Sequence, residues 1–173
     1  ADNALMLVDA GKGLEPQTHK LFEVCRMRRL PMFTFFNKLD RPAIEPLELL
    51  EEIEREFGMQ TFPVVWPLGS GDRFAGVVDR LDRKVHLYTK SGREGKAKGA
   101  VTEMLDLDDD LERLRELVDA EVLETALEEV ELLDEAGAEL DMDAVMAGEL
   151  TPCFFGAAIN NFGVELLLNR FLE

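Results

Sequence analysis

Only two of the 173 residues are cysteine, two are histidine, one is tryptophan and one is tyrosine. Cys25 and Cys153 show neither the CxxC nor the paired spacing of a redox or zinc centre, and the isolated His19 and His86 supply no ligand cluster. Both cysteines are expected to be small buried apolar groups in a reducing cytoplasm. The longest apolar stretches, around Leu5–Val8 and Leu30–Phe36, fall far short of the roughly 20 residues that span a bilayer. A basic leader with an apolar core and a cleavage site is lacking too, so the expectation is a soluble, cytoplasmic protein without a membrane partner.

Basic residues are scarce, with 19 Lys and Arg against 36 Asp and Glu and a net charge of −17. The imbalance is local. Residues 103–143 hold 18 acids and two bases, Arg113 and Arg115, for −16, and the rest of the chain is nearly balanced at −1. A surface this acidic repels phosphate backbones, which excludes direct DNA binding there and suits docking to a basic protein surface. A solvated helical face is the competing reading.

What is present reads as α/β. Leu5–Val8 is a buried strand, and Glu15–Arg29 is a helix with a buried stripe of Leu14, Thr18, Leu21 and Cys25. Met32–Phe36 is apolar on both faces, as an interior parallel strand must be. Pro46 opens a second helix burying Leu47, Leu50, Ile53 and Phe57, and Gly58 closes it. The texture then changes to the short runs Phe62–Trp66, Val77–Asp79, Val85–Thr89 and Ala97–Val101 with five intervening glycines, which predict an antiparallel unit. Ser91–Gly99 is expected as a mobile loop tip. Leucines and valines from Leu111 to Leu127 predict acidic helices, a shorter helix follows at Asp143–Gly148, and Leu150–Ala158 returns to the earlier style before a helix with Val164, Leu167, Leu168 and Phe171. The expected organisation is residues 1–65, then an inserted α+β subdomain over 66–149, then 150–173 rejoining the first sheet.

In open α/β sheets ligands bind beyond the carboxyl ends of the strands. Two turns stand at such ends here, Asn37-Lys38-Leu39-Asp40 and Gly156-Ala157-Ala158. A carboxylate at Asp40 can accept parallel hydrogen bonds from N1–H and N2–H₂ of guanine, which adenine does not offer. An Asn side chain at Asn37 can donate to the N7 edge and tie the loops together, the Lys38 stem can lie over the base, and a backbone N–H near Ala158 can donate to O6. The tetrapeptide alone is a modest signal, expected by chance in about two per cent of chains this long. Its competing reading is a helix N-cap at Asn37 or Asp40 with a tight turn.

Val8-Asp9-Ala10, Thr34 to Arg41, Trp66-Pro67-Leu68-Gly69-Ser70-Gly71, Phe74-Ala75-Gly76-Val77 and Gly148 to Gly156 together resemble the GTP-binding domain of the bacterial release factor 3 family, in the same order and over nearly the whole chain. The chain is similar also to elongation factor G, which shares the inserted subdomain, and more distantly to ribosome-protection GTPases. Trp66 and Asn160-Asn161-Phe162-Gly163-Val164 look more like the release factor. The resemblance implies a partial P-loop-type GTPase fold, a doubly wound sheet with an inserted α+β subdomain. It implies GTP or GDP as ligand, the ribosome and the codon-reading release factors as partners, and a stalk protein facing residues 103–143. It assigns Asn37, Lys38 and Asp40 to base recognition and Ala157 and Ala158 to the second guanine-side turn. Ala157 departs from the family's Ser or Thr, so a loop-bracing hydroxyl is missing.

Phosphoryl transfer needs a GxxxxGK[ST] loop and groups that hold Mg²⁺. Neither Gly11-Lys12-Gly13 nor Gly95-Lys96-Ala97 fits that pattern, so no catalytic or metal-binding residue is expected in this chain, and Mg²⁺ is expected only in a longer protein. By the resemblance those parts precede Leu5–Val8, which would leave that strand an unpaired edge with an apolar face. The readings held open are an elongation factor G-like or ribosome-protection fragment, and a non-catalytic acidic docking module.

Overall fold

The computed structural model describes residues 2–88 and 101–173. The described residues are mixed α/β, with one parallel and one antiparallel sheet. The parallel sheet is built from β1 (Ala4–Asp9), β2 (Met32–Asn37), β3 (Gln60–Pro63) and β8 (Leu150–Phe155), in the order β1-β2-β8-β3. The antiparallel sheet runs β4 (Val65–Leu68), β5 (Gly76–Asp79), β6 (Lys84–Tyr88) and β7 (Val101–Asp106) as sequential neighbours. Helices α1 (Pro16–Met27) and α2 (Pro46–Phe57) cross over the parallel sheet, α3 (Leu111–Leu117), α4 (Ala120–Glu135) and α5 (Met142–Met146) follow β7, and α6 (Val164–Leu172) ends the chain.

The local chemistry explains these bounds. Proline occupies the first turns of α1 and α2, where no intrahelical N–H is required. Gly58 closes α2 at φ 58°, its N–H bonded to Glu54 O at 2.9 Å. The acidic helical region is broken at Asp119, whose carboxylate caps α4 by accepting from the N–H groups of Glu121 and Val122. Five of the six residues of β2 and all six of β8 are buried, as central strands covered on both faces must be. Thr34 and Thr151 are the polar exceptions, and they satisfy each other through hydroxyls 2.8 Å apart, with Thr151 also donating to Met32 O. Among the described residues β1 is paired by β2 alone, and it exposes Leu5 and Leu7.

Five expectations need correction. In α1 it is Phe22 that is fully buried, while Leu21 of the expected stripe is exposed. Phe62–Trp66 is not one run of the antiparallel unit. Gln60–Pro63 pairs in parallel with β8 and Val65–Leu68 pairs antiparallel with β5, the change falling at Val64. Both pieces are apolar and buried, so periodicity alone could not separate them. The last predicted strand runs to Asp106, because Lys84 pairs with Asp106 at 2.8 Å and the alternation of exposed Met104 and buried Leu105 continues. In α2 it is Leu49 that is fully buried and Leu47 only partly. Cys153 is buried, which pushes its thiol pKa up, but Cys25 is only partly buried. The expected loop tip at Ser91–Gly99 and most of the run Ala97–Val101 lie outside the described residues.

The two sheets meet at a buried seam. Trp66, fully buried, sets its ring edge-on to Phe155 at 5.5 Å, Phe155 stacks on Phe36 at 4.8 Å, and the indole N–H donates to Glu129 on α4 at 2.8 Å. Arg80, nearly buried, donates to Pro63 O and to Asp134, tying the end of β3 to α4.

Candidate functional site

Because β2 and β8 are parallel neighbours, their C-terminal ends lie side by side, and the two turns singled out above come together. Asn37 ends β2. Its side-chain Oδ1 accepts from the N–H of Lys38 at 2.8 Å and from the N–H of Ala158 at 2.8 Å, which ties the two turns directly. Leu39, buried beneath them, donates its N–H to Gly156 O at 3.1 Å, and Gly156 donates to Phe36 O at 3.0 Å. A bond from Arg41 N–H to Lys38 O closes the first turn at 3.0 Å, with Lys38 in the left-handed region at φ 69°. Neither Asn37 nor Asp40 caps a helix, since α2 starts at Pro46 with Glu45 as its cap residue.

Lys38 is held by a residue that the sequence pattern left without a role. Asp9, last in β1 and in register with Asn37, accepts from the Lys38 ammonium at 2.8 Å and from the Gly11 N–H at 2.9 Å. The bond to Lys38 outweighs partial burial and holds the Asp9 carboxyl below its ordinary pKa. The signal that could have found Asp9 is its place at the same end of an adjacent parallel strand.

Asp40 is partly buried, and its Oδ1 is shut from solvent with no hydrogen-bond partner among the described residues. An orphaned buried acceptor costs on the order of 1–3 kcal/mol, so Asp40 is a position at which a donor would be favoured. In the second turn Ala157 is fully buried and locked by backbone, donating its N–H to Phe162 O at 3.0 Å and accepting from Phe162 N–H at 2.9 Å. Ala158 is exposed, and its N–H is engaged by Asn37. A base carbonyl at this amide would share or displace that bond.

All five sequence-predicted residues, Asn37, Lys38, Asp40, Ala157 and Ala158, are therefore on two adjoining turns. Sequence reasoning missed Asp9, Gly71, Phe74, Tyr88 and Phe162 as their supports. Among the described residues no group of three or more His, Cys, Asp or Glu is arranged to hold a metal ion, and no helix is long and apolar enough to cross a membrane.

The family of the elongation factor Tu GTP binding domain matches residues 1–173. Proteins named peptide chain release factor 3 are similar over the whole chain: one from Synechocystis sp. is 56% identical over 173 residues, 31% of its own length, and one from Synechococcus elongatus is 55% identical over 174 residues, 30% of its length. The chain thus spans about a third of these relatives. A crystal structure of a protein from Thermus thermophilus matches 99% of this chain and 26% of that one, with a TM-score of 0.66 and 26% identity.

Proposed function

The chain belongs to the family of the elongation factor Tu GTP binding domain, and from that membership we propose that it binds GTP or GDP through the two turns, as the guanine-recognising part of a translation-termination GTPase. The observation that carries the reading is the buried Oδ1 of Asp40, without a partner among the described residues, beside the Asn37–Ala158 tie. Asp40 accepts from guanine N1–H and N2–H₂, Asn37 donates its amide to N7, the Lys38 stem covers the base while Asp9 steers its ammonium, and the Ala158 amide faces O6. Each bond to the carboxylate contributes about 1.5–3 kcal/mol, and a base with the wrong pattern leaves Asp40 unpaired, so discrimination on the order of 10⁴-fold is within reach.

The chain has no GxxxxGK[ST] sequence, so GTP hydrolysis and any Mg²⁺ are assigned to a complete protein. Relatives named release factor 3 at 54–56% identity support a role at the ribosome in release and recycling of codon-reading release factors. Residues 1–65 and 150–173 form the base-recognising part of this proposal and 66–149 an inserted subdomain. The departure from the parallel sheet after Pro63 and the return at Leu150 support that division. The acidic residues 103–143 offer a basic partner such as a stalk protein a complementary surface, and the compartment is the cytoplasm.

The test is base selectivity of the wild-type chain and of Asp40→Asn, read from amide shifts during titration with GDP, XDP and ADP. The wild type is expected to prefer GDP. Asp40→Asn should lose about two orders of magnitude in GDP affinity and gain for XDP, whose O2 is an acceptor. Unchanged guanine preference in Asp40→Asn would remove Asp40 from this role.

A further inference from the structure

The turn carrying Ala157 and Ala158 has no hydroxyl of its own, and its order comes from the antiparallel unit. The Phe162 side chain, almost fully buried, packs against the Tyr88 ring at 4.3 Å and the Phe74 ring at 5.6 Å. The Tyr88 hydroxyl accepts from the Gly163 N–H at 2.9 Å. Gly163 has φ 76°, and a Cβ there would lie 2.6 Å from Phe155 O, so this residue is confined to glycine with its N–H aimed at Tyr88. Tyr88 is itself anchored within its sheet by donating its N–H to Ala75 O at 3.2 Å.

The first turn is held from the same side. Gly71, at φ 60° just beyond β4, donates its N–H to Leu39 O at 2.8 Å and to Arg41 O at 3.1 Å, gripping the backbone on both sides of Asp40. Two residues on, Arg73 reaches the cap of α4 through Asp119 at 2.6 Å and Glu121 at 3.1 Å. Each base-side turn is thus fastened to the antiparallel unit by at least one backbone N–H bond, and the second by an aromatic cluster as well.

We infer that the antiparallel unit sets the geometry of both base-side turns, and that Tyr88 is a positioning residue for guanine nucleotide: its ring and hydroxyl hold the Ala157–Phe162 turn in its binding shape. The inference rests on the guanine reading proposed above. Turns ordered beforehand spare the nucleotide the entropy of ordering them on binding, so loosening the clamp lowers affinity without any lost contact to the ligand.

The experiment records ¹H–¹⁵N spectra of the 173-residue chain and of Tyr88→Phe, which keeps the ring and removes only the hydroxyl, during titration with GDP and with ADP. A thermal unfolding midpoint is taken for each. The wild type is expected to show saturable shifts at Asn37, Asp40 and Ala158 with GDP and none with ADP. Tyr88→Phe should bind GDP about three- to tenfold more weakly, with the Ala158 and Phe162 amides displaced before any nucleotide is added. Phe74→Leu, which alters the ring cluster from its other side, should weaken GDP in the same sense. A wild type that responds to GDP while Tyr88→Phe binds it equally well overturns the inference and leaves the guanine reading standing. A lowered unfolding midpoint with unchanged affinity does the same, because Tyr88 is then structural only. A wild type that fails to respond to GDP, or responds equally to ADP, overturns the guanine reading and the inference with it.

Discussion

The two sheets divide the work by where they keep their polar groups. The parallel sheet buries β2 and β8 almost completely and delivers its polar residues at the strand ends, where Asn37, Lys38, Asp40 and Ala158 meet. The antiparallel unit and its helices place charge along their surfaces, in exposed pairs such as Arg83 with Asp108 and Arg113 with Glu116. Such pairs contribute little to stability, because solvent screens them and two side chains lose freedom. The apolar region thus supplies the rigidity that recognition needs, while the charged region supplies a surface and a few well-aimed contacts, Gly71, Phe74 and Tyr88, that reach the turns.

The most severe break of this division is at the seam. Phe155 is fully buried between Phe36 and Trp66, and Phe155→Ala should cost about 3–5 kcal/mol in chemical denaturation, from lost burial and the cavity left behind. A cost below about 1 kcal/mol would mean that the two sheets do not share one core.

A smaller effect isolates the turns from the core. Asn37→Ala removes the acceptor shared by Lys38 and Ala158 and should cost about 1–2 kcal/mol. Its amide shifts should be largest at the two turns and, in β4–β7, confined to the neighbourhood of Tyr88. Shifts that spread across the antiparallel sheet would show that the turns and that sheet move as one body.

The smallest effect concerns a charge placed against the general pattern. Glu129 is half-buried, and burial raises its carboxyl pKa, partly offset by the bond from Trp66 and reinforced by Glu45 and Glu128. A carboxyl whose folded pKa is raised favours the folded state when protonated, and that contribution is lost as pH rises through the folded pKa. Glu129→Gln keeps an acceptor for the indole and removes the charge, so its unfolding midpoint should exceed the wild type's near neutral pH. The difference should shrink as the pH is lowered into the carboxylate range. An equal gain under both conditions would show that charge is not the cause.

Much of this arrangement was legible in the residues. Two-faced apolar runs before polar turns revealed β2 and β8, and Pro46 with Gly58 bracketed α2, because these signals are local. The division of residues 60–68 between two sheets was not legible: Phe62–Pro63 and Val65–Leu68 are equally apolar, and only pairing partners distinguish them. Tyr88 offered no signal either, being the single tyrosine of the chain in a unit 75 residues before the amide it holds.

The residue types at the strand ends and the location of the charge follow from the sequence alone, since composition and short-range periodicity suffice for both. That Asp9 holds Lys38, that Asn37 engages the Ala158 amide, and that Gly71 and Tyr88 clamp the turns emerged only with the tertiary structure. These are contacts between segments far apart in the chain. Strand order and the packing of one sheet on the other fix them, and no local pattern encodes either.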